Sequence, residues 1–243
     1  MAYQLYYWNG IQGRGEFVRL ALEEAGADYI DVVRHEQPGM GTDAMLEILD
    51  HGLNSTPVFA PPVLKDGDML ISHVANILFY LGPKLGLAPS DENLRYTANG
   101  LQLTITDFVS EVHDTHHPIS TGLYYEDQKA EAKARSEAFI DERIPRYLGY
   151  FERALQQNPS GSRYIVGSEL SYVDLSLFQV IEGLCYAFPN AMKGYQDRYP
   201  ALADLDAAVR ERPRIAAYLA SPRRLAFNED GIFRHYPELD AGN

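Results

Sequence analysis

Cysteine is nearly missing: Cys185 is the only one in 243 residues, which excludes an internal disulfide and a Cys-x-x-Cys redox pair. It lies in the apolar helical run "FQVIEGLCYAF" and reads as a buried structural thiol rather than a nucleophile. Basic residues are also scarce, 21 Lys and Arg against 34 Asp and Glu, for a net charge of −13. Nucleic acid and anionic membrane surfaces repel such a chain, so neither is an expected partner. No apolar run approaches the roughly 20 residues a membrane span requires. The opening "MAYQLYYWNG" lacks the basic start and apolar core of a signal peptide, so a cytoplasmic protein is expected.

The length suits one large or two small domains with a real core. The character of the chain changes near residue 85. Before it, strand-like "YQLYYW" (3–8) leads to an amphipathic helix from about Gly13 to Ala25. Strand-like "YIDVVR" (29–34) and a short helix near Asp43 to Leu49 follow. "PPVLKDGDMLISHVANILFYL" (61–81) then reads as a hairpin turning at Asp66 and Gly67, followed by a helix. In the first helix Phe17, Val18, Leu20 and Ala21 face a core, Arg14, Glu16, Glu23 and Glu24 stay wet, and Gly26 is the C-terminal stop.

After "LGPKLGLAPSDE" strand signals largely vanish. Helical spacing recurs in "LTITDFVSEV" and at Ile144, Tyr147, Leu148, Phe151 and Leu155, with Pro145 kinking that helix or starting one within it. "YPALADLDAAV" and "RIAAYLAS" add two further helices. The expected fold is an α/β unit over 1–84 and an all-α bundle over 92–243.

The order strand, "GRGEFVRLALEEAG" helix, strand, helix, "PVLKDGDMLI" hairpin and helix resembles the thioredoxin-like N-terminal domain of cytosolic glutathione transferases of bacterial type. The first helix is similar to the alpha and sigma classes and the hairpin to the theta class. "YIVGSELSYVDLSLFQVIEGL" resembles the buried helix start of that family's helical domain, with Ser171 and Asp174 spaced as a capping box. This resemblance covers nearly the whole chain. It implies glutathione as co-substrate, a small-molecule electrophile, a second-substrate pocket in the helical part, a role in detoxification, a homodimer and no metal.

The resemblance also implies site residues. A tyrosine at the end of the first strand donates to the glutathione sulfur, and "YYWNGIQGR" offers Tyr6 and Tyr7, which must point to opposite faces. Tyr7 before Trp8 matches the better, although the loop to Gly13 is one residue longer than in the tyrosine classes. Arg14 matches an arginine near the sulfur, or is an exposed helix-start charge. A residue and a following cis-proline pair with the cysteinyl backbone. Counting from the hairpin puts them at Pro61 and Pro62, with Pro57 a decoy, and Pro61 has no N–H to give. The family's Gln-Ser or Glu-Ser at the next helix start is here His73 and Val74, which implies weak or altered glutathione binding. Ser72 is one residue early. Asp107 matches an aspartate offered across a dimer, or is solvated helix surface.

Phe108, Tyr124 and Tyr125 are candidate walls for an apolar pocket, or ordinary core. His113, His116 and His117 in "EVHDTHHPI" invite a metal reading, but adjacent histidines on a helix do not share a face, so a polar helix end before Pro118 is the expectation. The competing function is a non-catalytic binding protein of the same fold that carries apolar ligands. A thiol-disulfide oxidoreductase lacks the cysteine it needs near the first strand or helix.

Overall fold

A computed structural model describes residues 2–52 and 56–240. Four short strands, β1 (Tyr3–Tyr6), β2 (Tyr29–Asp31), β3 (Val63–Asp66) and β4 (Met69–Ser72), form a mixed sheet in the order β2-β1-β3-β4. β1 runs parallel to β2, with Gln4 opposite Ile30, and antiparallel to β3, with Leu5 opposite Leu64 and Tyr6 opposite Val63. Helices α1 (Gly15–Ala25), α2 (Thr42–His51) and α3 (Val74–Leu85) complete the thioredoxin-like α/β unit. Side-chain alternation along β1 separates two cores: Leu5 joins α1 and α3, whereas Tyr6 packs with Val32, Val33, Met45 and Val63 beneath α2.

The second part is all helical: α4 (Glu92–Asp114), α5 (Lys129–Ala138), α6 (Ile144–Gln156), α7 (Tyr172–Ala187), α8 (Tyr195–Arg198), α9 (Pro200–Arg210) and α10 (Pro213–Leu219). Thirteen of the 16 residues of α7 are buried, so it is the central helix around which the others pack. Its start is closed by Asp174, which accepts from Ser171 N–H and Ser171 Oγ, both at 2.7 Å, and from Ile165 N–H at 2.8 Å. Burial pushes the Asp174 carboxyl up to about 6, while those donors pull it down. A π-helical turn at Phe139–Arg143 joins α5 to α6 and absorbs Pro145, so the proline begins a helix without breaking the run. Among the described residues no helix is long and apolar enough to cross a membrane.

Several local readings differ from the structure. Strand character ends at Asp31, where Val32–Arg34 turn as a 3₁₀ segment, and α1 begins at Gly15. Cys185 is half-buried, its thiol raised to about 12 by burial and by the nearby Glu182 and Asp206 carboxylates. Glu16 and Glu24, expected wet, are buried. Their partners come from the far end of the chain: Tyr218 Oη donates to Glu16 at 2.7 Å, Arg224 pairs with Glu16, and Arg212 pairs with Glu24. Arg19, fully buried, carries the network onward to Asp31 at 2.6 Å and Glu16 at 3.3 Å. This charged seam fastens α1 to α10 and to the tail beyond it.

Candidate active site

β1 stops at Tyr6, and Tyr7 lies on the loop leading into α1. Its ring is almost wholly buried over the glycines of that loop. A Cβ on Gly13 would come within 2.1 Å of the Tyr7 hydroxyl, and one on Gly15 within 2.6 Å of its ring. Gly13 also adopts a positive φ of 46°. The Gly-Arg-Gly sequence therefore exists to seat an aromatic ring against bare backbone. In that seat the Tyr7 hydroxyl accepts the Arg14 backbone N–H at 2.8 Å, and among the described residues nothing accepts its own proton. Burial raises its pKa, partly offset by that N–H and by the Arg14 and Arg19 charges, so it remains a phenol at neutral pH.

Tyr6 is separated from this place by the sheet itself. Its hydroxyl donates to Gln4 Oε1 at 3.0 Å, inside the core under α2. Arg14 reaches across to α4, with Nη2 at 3.4 Å from Ser110 Oγ. The hairpin lies next to the loop through β1, and its approach carries the cis peptide bond, which joins Pro61 to Pro62; Pro57 is exposed. Pro62 is buried and Pro61 half-buried.

At the start of α3 the two family positions diverge. His73 is exposed and holds φ at 72°, a left-handed conformation uncommon for a side chain of this kind. Val74 turns inward instead, 4 % exposed, and joins the core between α1, α3 and α4. Val74 therefore supplies packing, and only His73 and the helix-start N–H groups face out. That burial also changes the meaning of a Val74→Ser exchange, which would place a hydroxyl in the core. Asp107 is exposed on α4 with no side-chain hydrogen bond or ion pair among the described residues.

The expected pocket walls do not converge. Phe108 is core, stacked on Tyr147 with ring centroids 4.2 Å apart; Tyr125 stacks on Tyr236 at 3.9 Å in a small separate cluster; Tyr124 is exposed. The C-terminal tail covers the Tyr7 loop instead. Asn228 Nδ2 donates to Gly10 O at 2.8 Å, and Gln12 Nε2 to Leu225 O at 2.5 Å. Gln12 Oε1 accepts from Gln179 Nε2 of α7 at 2.8 Å. Two narrow crevices with no more than about 10 Å³ of free volume flank the loop, one under Phe227 and Phe233 of the tail, the other between Arg14, Val74 and α4. Gln102, fully buried, lines the second crevice with neither amide atom paired among the described residues.

The histidines at the end of α4 do come together. α4 ends at Asp114, and the His116 and His117 N–H groups both turn back to the His113 carbonyl, at 3.3 and 3.2 Å. His116 and His117 are adjacent to each other but stand three and four residues after His113, the spacing that puts side chains on one helix face, and the last turn keeps that spacing. Burial is the main cause that lowers each pKa, to about 4 for His113 and about 2 for His116, with Arg234 adding to it at all three and Arg14 at His113.

Residues 113–222 match the family model described as "Glutathione S-transferase, C-terminal domain". The match covers the helical part of the chain, which is similar to the C-terminal domain of glutathione transferases. A glutathione S-transferase of Plasmodium falciparum is 24% identical over 92% of this chain and 97% of its own length. Glutathione S-transferase P 1 of Xenopus laevis is 28% identical over 88% of this chain and 90% of its own. Among solved structures, prostaglandin synthase D of Nilaparvata lugens superposes with a TM-score of 0.68 at 22% identity, covering 91% of this chain and 98% of that one. The glutathione S-transferase of Ascaris lumbricoides gives 0.66 at 22%, covering 90% and 97%. These structural likenesses establish the transferase fold: a thioredoxin-like unit followed by a helical domain.

Proposed function

We propose that the protein is a glutathione transferase in which Tyr7 holds the bound thiol as thiolate for attack on an electrophilic, largely apolar second substrate. The observation that carries this reading is the polarity of the Tyr7 hydroxyl: it accepts from Arg14 N–H and keeps its own proton for an outside acceptor. A thiol with a pKa of about 8.5 is mostly protonated at neutral pH. A charge-assisted hydrogen bond worth roughly 2 kcal/mol brings that value to about 7, so that thiolate becomes a main form. The sulfur then forms a bond to the electrophilic carbon as the leaving group departs with its electron pair. Arg14 adds a positive charge at the same loop.

The cysteinyl backbone of glutathione would lie along Pro61 and Pro62, with the Pro61 carbonyl accepting and no N–H returning the contact. Its γ-glutamyl carboxylate would meet the α3 start, where His73 stands in place of an amide and Val74 offers no hydroxyl. Binding of glutathione is accordingly weaker than at a site with both groups. Tail residues Phe227 and Phe233 supply the apolar side of the second-substrate space. Each crevice is far below the roughly 300 Å³ of ordinary ligand pockets, so the tail must shift for an electrophile to enter.

The family expectation of a homodimer, with Asp107 reaching the neighbouring site, finds support in an exposed Phe59 and a groove of about 560 Å³ between α4 and α6, lined by Leu94, Leu101 and Tyr150. Such a pair of features suits a two-fold contact. A detoxifying role in the cytoplasm follows from the same reading.

The test is glutathione-dependent conjugation of a chromogenic aryl halide by the purified protein. Turnover that saturates in both substrates is expected. Apolar-ligand binding without turnover at saturating glutathione would favour the non-catalytic binding protein.

A further inference from the structure

The cluster at the end of α4 has a geometry that the transferase reading does not use. One ring nitrogen from each of His113, His116 and His117 lies within 4.8 Å of the others. His116 is almost wholly buried and its Nε2 lies 2.8 Å from the Ile232 carbonyl. A carbonyl can only accept, so Nε2 carries the proton and Nδ1 is left with its lone pair. That lone pair points at His117 Nδ1, 2.5 Å away. Fixing one imidazole nitrogen by a backbone acceptor so that the other is a free donor is how proteins prepare a histidine to bind a metal.

We infer that His113, His116 and His117 form a three-histidine site for a borderline divalent transition-metal ion of the zinc class, with an open fourth position. Three imidazoles without thiolate or carboxylate select zinc, copper, nickel or cobalt over magnesium or calcium. Three protein ligands leave one coordination position to solvent or to a bound molecule. The His116–His117 separation is shorter than the roughly 3.3 Å between two nitrogens held at 2.0–2.1 Å by a tetrahedral ion. Binding therefore swings the half-buried His117 ring outward, which its position on the loop before Pro118 permits. Arg14 and Arg234 act on the same cluster and oppose a cation there. Their charge favours an anionic fourth ligand, such as hydroxide or chloride. The site ties the end of α4 to the tail at Ile232, and it stands whether or not Tyr7 activates a thiol.

The test is titration of tag-free, metal-stripped protein with Co²⁺, followed by visible absorption and then displaced with Zn²⁺. One Co²⁺ per chain with the intense bands of low coordination is expected, reversed by one equivalent of Zn²⁺. His113→Gln and His117→Gln should each weaken binding at least about tenfold while circular dichroism stays that of the parent. The half-buried positions are chosen because His116 is part of the core. A spectrum that remains that of aqueous Co²⁺ at equimolar protein, or equal affinity in the double variant, overturns the site.

Discussion

The Tyr7 hydroxyl is held by contact with bare glycine backbone, and that makes its position sensitive to a single methyl group. Gly15 tests this cleanly because, unlike Gly13, it has no positive φ to be strained. In Gly15→Ala the new Cβ would overlap the Tyr7 ring, so the ring must leave its seat and the Arg14 N–H with it. The variant should fold, and its kcat/KM for glutathione conjugation should fall as far as that of Tyr7→Phe, on the order of 30-fold. Activity equal to the parent would mean that the ring's placement is immaterial. Gln102 is the second residue that stands out, since a buried amide with two unpaired ends costs desolvation without return. Gln102→Met keeps the volume and removes both ends. Denaturant unfolding should show it more stable by about 1 kcal/mol; a loss of stability would mean that the amide has a partner in solution.

Among the elements, the end of α4 determines how the fold responds to acid. His113 is held neutral by burial, with His117, Arg14 and Arg234 reinforcing it, and its pKa is lowered to about 4. In the unfolded chain it titrates near 6.5. As pH falls through that interval the unfolded state gains a proton that the folded state refuses, so stability drops from about pH 6.5 to about pH 4. In metal-free protein the share due to His113 should be on the order of 3 kcal/mol, measured by denaturant unfolding across that range, and His113→Gln should reduce the slope by that share while His116 and His117 keep the rest. A parent profile flat from pH 7 to 4 would contradict the burial argument. The cluster was legible in the i, i+3, i+4 spacing of His113, His116 and His117, which weighing only the adjacent pair His116 and His117 overlooks. Other local signals fared better. Ser171 and Asp174 are three residues apart and close the α7 start, Gly26 stops α1 at a φ of 64°, and counting back from the hairpin reaches the cis bond at Pro62.

At the scale of the whole molecule, what the sequence hid is what the far end of the chain supplies. Glu16 reads as a wet helix charge until Tyr218 and Arg224, some 200 residues later, bury it. Val74 reads as a failed ligand position until α4 closes over it. The tail that reaches Gly10 and Leu225's contact with Gln12 have no periodicity to announce them. Assembly is read at this scale too. The proposed homodimer places the fully exposed Phe59 at its contact, and on that proposal Phe59→Glu should shift sedimentation from dimer to monomer while leaving the far-ultraviolet spectrum unchanged. An unchanged dimer would place the interface elsewhere.

The most direct measurement is of the bound thiol itself. Titrated with glutathione to saturation and followed by thiolate absorbance in the ultraviolet, the protein should show the anion forming with an apparent pKa near 7, and Tyr7→Phe should return it to about 8.5. Thiolate appearing at the same pH in both proteins, or absent from both at saturation, would contradict the assignment of Tyr7.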